Sequence, residues 1–342
     1  MSTNELETTA QELVAPGRGI LAADESMPTI AKRFDTMGIE NTEENRRAYR
    51  DMLFTTPGLG EHISGVILFD ETIRQGTRDG TPFTEVLEKA GIIPGIKVDA
   101  GAKDLALFPG EKVTEGLDGL RTRLAEYRDL GARFAKWRAV ITIDQAHGLP
   151  TDGCIRANAH AMARYAALCQ EAGIAPIVEP ETLMDGSHPI EAHHHATLRT
   201  LQATFEELFD ARVALPGALL KTNMVLSGKE AAEQADDDTV AEMTLRCLRA
   251  TVPPAIPGVV FLSGGQGDVE ATRRLDVMNR RGALSWVLSF SYGRALQAPA
   301  LKAWAGKEEN VEAAQRALAH RAKLNGAARD GTYADEMESE AA

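Results

Sequence analysis

A closed, parallel (β/α)8 barrel is the fold this sequence predicts, and three observations predict it. About eight short apolar segments alternate with longer amphipathic ones along the whole chain. Charged residues gather at the C-terminal ends of the short segments, where barrels of this type keep their working groups. No Gly-x-Gly-x-x-Gly follows the first segment, so the alternative, an open doubly wound sheet, lacks its main signature.

The elements follow in order. One extra helix is expected near residues 2–14, ahead of the first strand at 19–24. Two more are expected near 29–36 and 42–54, the second capped by Asn41-Thr-Glu-Glu44. Further strands are read at 63–70, 95–99, 133–141, 175–181, 218–225, 258–263 and 285–292. Amphipathic helices fill most gaps, at 117–130, 157–172, 196–209, 239–250 and 269–280. A last helix near 308–324 is expected to stop at Asn325-Gly326. The chain has 342 residues and no linker, so residues 1–325 are expected to form one domain. Residues 326–342 are polar, acidic and poor in large apolar groups, which predicts a flexible tail.

Bulk properties narrow the function. The hydrophobic fraction of 44% suits a protein with a real core. A net charge of −13 argues against nucleic acid or anionic membrane as partners. It also requires any anionic substrate to meet locally focused positive potential. No apolar run reaches the length of a membrane span, about 20 residues. The N-terminus lacks the basic and apolar regions of a signal peptide. Three scattered cysteines, Cys154, Cys169 and Cys247, fit neither a disulfide framework nor a zinc knuckle, and predict a reducing, cytoplasmic setting.

Lys221 is the most informative residue. It interrupts an apolar stretch that reads as a buried strand, where an ammonium is costly to desolvate. Burial favours the neutral amine, a nucleophile for carbonyl carbon. Lys136 occupies a similar setting on another strand. Two such ammonium groups about 5 Å apart repel by about 3 kcal/mol at a dielectric of about 20. That is about a hundredfold bias toward a free amine. Covalent imine chemistry is therefore expected.

Other polar residues fall two apart near strand ends and so share a face. They are Asp24; Lys97 and Asp99; Lys136 and Arg138; Glu179 and Glu181; Lys221 and Asn223; Ser263; and Ser291 with Arg294. Singly, each has a structural explanation: Asp24 as a helix cap, a glutamate paired with Arg138, Lys97 reaching solvent. Together they crowd a narrow mouth that a purely structural core would fill with branched apolar groups. The run Phe261-Leu-Ser-Gly-Gly-Gln266 reads as strand, glycine pair and helix start, a cradle for phosphate that Arg294 would complete. His188, His193, His194 and His195 do not read as a metal site, because consecutive helical residues point about 100° apart.

Several of these segments resemble class I fructose-1,6-bisphosphate aldolase. They are Leu21-Ala-Ala-Asp-Glu-Ser26, Gly95-Ile-Lys-Val-Asp99, Phe134-Ala-Lys-Trp-Arg138, Val178-Glu-Pro-Glu181, Leu220-Lys-Thr-Asn-Met-Val225, Phe261-Leu-Ser-Gly-Gly-Gln266 and Ser289-Phe-Ser-Tyr-Gly-Arg-Ala-Leu296. The resemblance runs from about residue 13 to about residue 324. It implies a Schiff-base (β/α)8 barrel that needs no metal or other cofactor, acts on sugar phosphates in glycolysis and gluconeogenesis, and is commonly a homotetramer. It implies that Lys221 forms the imine, that Glu179 is the general acid/base for carbinolamine dehydration, and that Asp24 takes the C4 hydroxyl proton. Lys136 would bind substrate and tune the carboxylates, with Glu181 as its partner. Ser263, Gly264, Gly265, Gly293 and Arg294 would hold the C1 phosphate, with Ser291 beside them. Lys97, Ser26, Arg33 and Arg138 would serve the other phosphate or the sugar hydroxyls. Two departures stand out. Met27-Pro28 replaces a small polar run, and the chain lacks the terminal tyrosine of the animal branch, leaving Tyr333 as the one tail candidate for that role. The alternatives are an imine-forming barrel for another sugar phosphate, such as a ketose 1-phosphate, or a non-catalytic scaffold.

Overall fold

The computed structural model describes residues 3–339. The chain runs α1 (Thr3–Leu13), β1 (Gly19–Ala23), α2 (Met27–Asp35), α3 (Glu43–Phe54), β2 (Ile63–Leu68), α4 (Asp70–Ile73), α5 (Phe83–Lys89) and β3 (Ile93–Lys97). It continues with β4 (Ala102–Asp104), β5 (Lys112–Thr114), α6 (Leu120–Asp129), β6 (Phe134–Ile141), α7 (Asp152–Glu171), β7 (Ala175–Thr182) and α8 (Ile190–Asp210). The last elements are β8 (Leu219–Thr222), α9 (Asp237–Thr251), β9 (Gly258–Phe261), α10 (Asp268–Arg280), β10 (Val287–Tyr292), α11 (Arg294–Trp304) and α12 (Val311–Arg329). Eight strands close a barrel in the order β1-β10-β9-β8-β7-β6-β3-β2, with every pair parallel. This is the predicted (β/α)8 fold. No described helix is long and apolar enough to cross a membrane.

Strand alternation divides the barrel interior into two zones. The inward row of β6 reads Phe134, Lys136, Arg138; that of β7 reads Ala175, Ile177, Glu179, Glu181; that of β8 reads Leu219, Lys221. The lower residues join Leu6, Ala10 and Leu13 of α1 in one apolar cluster, so α1 plugs the bottom of the barrel. Phe134 fills the axis only because Gly95 faces it: a Cβ there would lie 2.3 Å from the ring. The upper residues are charged and open into the mouth. Apolar burial below thus holds the charged ring above at fixed height.

Four features depart from the sequence reading. A short antiparallel hairpin, β4–β5, extends beyond β3. Its strands of three residues are too brief to show a period. The helices α4, α5 and α11 are not among those read individually from the sequence, and α11 contains an internal Pro299. The barrel strand β8 ends at Thr222, so Asn223 does not share the face of Lys221. Its side chain accepts from the Thr182 N–H at 2.9 Å and donates to Thr197 Oγ1 at 3.1 Å, outside the mouth.

The fourth departure concerns the C-terminus. Asn325-Gly326 does not stop the last helix, which continues to Arg329. Both residues serve packing instead. Gly326 lies against the backbone of Gly17, where a Cβ would sit 2.5 Å from the carbonyl oxygen. Asn325 is fully buried, accepting from Thr272 Oγ1 at 2.9 Å. The expected flexible tail is also packed, as far as it is described. Tyr333 is 2% exposed, and its N–H donates to Asp276 Oδ1 at 3.0 Å. Glu338 receives Arg321 at 2.7 and 3.0 Å and the Tyr333 hydroxyl at 2.8 Å. A buried Arg321 needs an anion, and an acidic tail supplies one. Residues 340–342 of that expected tail lie outside the described part.

Candidate active site

The mouth holds a ladder of alternating charges. Lys136 is 2% exposed. Its Nζ lies 2.8 Å from Asp24 Oδ2, 3.1 Å from Glu179 Oε2 and 4.0 Å from Asp99 Oδ2. The other oxygen of Glu179 lies 3.2 Å from Lys221 Nζ. The ladder therefore runs from Asp24, just past β1, to Lys136 on β6, Glu179 on β7 and Lys221 on β8, though β1 and β6 are not neighbours in the sheet. Only the barrel's curvature brings Asp24 to Lys136.

Burial and charge compete at each rung. Burial would neutralise Lys136, but Asp24, Glu179 and Asp99 outweigh it and hold the ammonium well above its usual range. Coulomb attraction to Asp24 alone, at 2.8 Å, is about 6 kcal/mol at a dielectric of about 20. Burial would likewise protonate Asp24, but Lys136, Lys221 and Lys97 keep its carboxyl far below the ordinary range. Glu179 is buried too, and Lys136, Lys221 and Arg138 hold it below the ordinary glutamate range. Asp24 and Glu179 are thus carboxylates at neutral pH, ready to accept protons. The expected direct repulsion between Lys136 and Lys221 is not what the structure shows: the Glu179 carboxylate stands between them.

Glu181 departs from its expected role. It pairs with Arg138 Nε rather than with Lys136. In the β6–β7 register Lys136 lies opposite Ile177 and Arg138 opposite Glu179, so each cation reaches one inward step further along β7, Lys136 to Glu179 and Arg138 to Glu181. Lys97 is held by Asp99, 2.7 Å from Oδ1 and 2.9 Å from its carbonyl oxygen.

The second rim is built by β1, β9 and β10. Gly264 and Gly265 turn at φ of +57° and +105°, conformations that favour glycine, and Ser263 precedes them. Ser291 is 1% exposed and its Oγ has no hydrogen-bond partner. Gly293 brings its backbone close to β1: a Cβ would lie 3.3 Å from the Ala22 oxygen and 3.6 Å from Arg33 Nη2. Arg33 therefore stands toward the Gly293 side of the mouth, held by the buried Glu25, which also binds Arg50. Ser26 occupies the N-cap position of α2 without a side-chain capping bond, Pro28 sits in the first turn, and Ser26 Oγ lies 3.1 Å from Thr29 Oγ1. The Met27-Pro28 departure thus starts a helix and leaves two hydroxyls side by side. One cleft of about 2000 Å³ is lined by Ser26, Arg33, Ser263, Gly265, Ser291 and Arg294. Sequence reasoning missed Thr29, Glu25, Asp185 and Lys229 around it; the last two sit on loops, where strand alternation gives no signal.

Two other predicted features lie elsewhere. Tyr333 does not line the cleft; it is packed against α10. His193, one of the four histidines not read as a metal site, is fully buried. Its Nδ1 accepts from the Leu226 N–H at 2.7 Å, so its Nε2–H donates to the Thr182 oxygen at 3.1 Å. It splints the loops after β7 and β8. Among the described residues, no three His, Cys, Asp or Glu side chains are grouped to hold a metal. Burial pushes the His193 imidazole down to about 4. The unfolded chain therefore takes up a proton near pH 6.5 that the native protein refuses. Stability is expected to be full above about pH 6.5 and to fall by up to about 3 kcal/mol toward pH 4. Urea unfolding across that range, compared with His193→Gln, checks this; an unchanged slope in the variant contradicts it.

The fold and site define a barrel enzyme with a buried lysine poised over paired carboxylates. Over residues 5–342 the sequence matches the family described as "Glycolytic: Fructose-bisphosphate aldolase class-I". It is 58% identical over 334 residues to a Xanthomonas axonopodis pv. citri protein named "Probable fructose-bisphosphate aldolase class 1", covering 97% of this chain and 99% of that one. It is 54% identical over 329 residues to fructose-bisphosphate aldolase 1 of Toxoplasma gondii, covering 96% and 91%. The fold superposes with a TM-score of 0.96 on Plasmodium falciparum fructose-bisphosphate aldolase, solved with TRAP and a small-molecule inhibitor, at 52% identity and covering 97% and 95%. The chain belongs to the class I fructose-bisphosphate aldolases.

Proposed function

We infer that this protein cleaves fructose 1,6-bisphosphate reversibly to dihydroxyacetone phosphate and glyceraldehyde 3-phosphate through an imine on Lys221. The observation that carries the reading is the 3.2 Å approach of Lys221 Nζ to Glu179 Oε1 inside the mouth. Glu179 takes a proton from the Lys221 ammonium, and the free amine adds to the C2 carbonyl. The same carboxyl then returns that proton to the departing hydroxyl, so water leaves and a protonated imine forms. Asp24, ionised beside Lys136, accepts the C4 hydroxyl proton as the C3–C4 bond breaks. The electron pair moves to C3 and is held as an enamine by the iminium. Glyceraldehyde 3-phosphate leaves; protonation at C3 and hydrolysis release the second triose. Lys136 keeps both carboxylates charged and apart.

The cationic rim supports a bisphosphate. Lys97, Arg138, Arg33 and Arg294 ring the cleft and answer the net charge of −13 with local positive potential. Fructose 1-phosphate, which lacks one phosphate, is expected to show a KM at least about tenfold higher than the bisphosphate. A steady-state comparison of the two ketoses tests the reading, run with and without excess chelator. Equal KM values would favour a ketose 1-phosphate enzyme, loss of activity in chelator a metal-dependent one, and absence of turnover a scaffold. A cytoplasmic location is supported by Cys154, Cys169 and Cys247, which are buried free thiols. A homotetramer rests on the resemblance of the sequence to its family, and light scattering reports the number of copies.

A further inference from the structure

Lys229 belongs to no part of the machinery described above, yet it reaches into the cleft. A Cβ built on Gly265 would lie 2.8 Å from Lys229 Cε, 3.0 Å from its Nζ and 3.3 Å from Arg294 Nη2. Two cations, one from the loop after β8 and one from the start of α11, therefore converge on one glycine of the 263–265 turn. Neighbouring like charges are unfavourable unless an anion joins them. The Arg294 guanidinium has no hydrogen bond or ion pair with a described residue, so its charge is not spent elsewhere.

The position of Lys229 is imposed by its backbone. The Gly228, Lys229 and Glu230 N–H groups donate to the carbonyl oxygens of His188, Met184 and Gly186 at 2.9, 2.8 and 2.9 Å. Gly228 has no room for a side chain, since a Cβ would meet the Gly186 oxygen at 2.2 Å. This strap lays the loop after β8 across the loop after β7 and aims residue 229 at the turn after β9. Its ammonium meets Asp185 Oδ1 at 2.7 Å, a pair that is 43% and 65% exposed. A pair so exposed is weak and is readily exchanged for a doubly charged oxyanion.

We propose that Lys229 is a substrate-binding residue of the phosphate cradle: it leaves Asp185 to join Arg294 and the 263–265 turn in holding the C1 phosphate of the ketose. This rests on the aldolase reading of the site, and it adds a cation that the strand-end residues do not supply. A phosphate held from two loops also anchors C1, and so places the C2 carbonyl against Lys221.

The test is borohydride trapping on the full chain, with the half-saturating concentration read for two probes. Dihydroxyacetone phosphate carries the phosphate; dihydroxyacetone does not. In Lys229→Ala the value for dihydroxyacetone phosphate is expected to rise about tenfold. The value for dihydroxyacetone should stay within threefold of the wild type, and Lys229→Arg should return dihydroxyacetone phosphate to within threefold. A rise below threefold in Lys229→Ala, an equal loss with both probes, or no rescue by arginine overturns the proposal. If the wild-type protein takes label from neither probe, the aldolase reading itself fails and this inference falls with it.

Discussion

Lys221→Met is expected to lose at least about 10^4-fold in kcat for bisphosphate cleavage while remaining folded. The argument is one of bonds rather than of binding. Without an amine at C2, no cationic imine forms, and the electron pair left at C3 has no acceptor. Methionine has nearly the length of lysine and suits an apolar strand, so the packing of β8 against β7 and β9 should survive. Removing the ammonium also leaves Glu179 with Lys136 as its remaining close cation, at 3.1 Å, which is enough to keep it charged. Circular dichroism and urea unfolding should therefore match the parent while turnover vanishes. Residual kcat within a hundredfold of the parent would place the nucleophile elsewhere.

The second large effect is expected from Lys136→Ala. This change leaves the half-buried Asp24 and the buried Glu179 without the cation they share. Their carboxyl groups should then rise, because burial is opposed by fewer cations: Lys221 and Lys97 remain for Asp24, and Lys221 and Arg138 for Glu179. Two steps fail together: Asp24 no longer accepts the C4 proton readily, and Glu179 no longer cycles a proton at the carbinolamine. A fall of about 10^3-fold in kcat follows. Breaking a buried pair typically costs about 3–5 kcal/mol, but a cleft open to water and protonation of one carboxyl reduce that here. The variant should stay folded at 25 °C with a lowered midpoint. Activity that recovers partly as the pH is raised through the new, higher carboxyl range would support the mechanism; full activity at neutral pH would refute the role of Lys136.

Much of this site was legible before any coordinates. Lys221 and Lys136 announce themselves as charges in apolar strands, and period-two alternation puts Glu179 and Arg138 on the same inner wall. What alternation cannot supply is partner choice. Glu181 is expected beside Lys136, but each cation of β6 reaches one inward step beyond its register partner on β7, which gives Glu181 to Arg138. Asn223 was assigned to the mouth, but β8 ends one residue earlier and frees it to cap the loop after β7. The Asn325-Gly326 pair has the composition of a helix stop and is a packing surface, because the contact with Gly17 comes from the other end of the chain. The tail is acidic enough to look unstructured, yet Arg321 and Asp276 give it partners that a one-dimensional reading cannot see. Lys229 was invisible for the same reason: its geometry is set by hydrogen bonds between two loops.

The central claim is that the Lys221 amine condenses with a ketose carbonyl. The direct measurement is reduction of the wild-type protein with borohydride in the presence of dihydroxyacetone phosphate, followed by mass spectrometry of the digested chain. The account predicts one reduced triose per chain, on the peptide containing Lys221. Label on Lys136 or Lys229 instead, or no label from a protein that turns over bisphosphate, would contradict it.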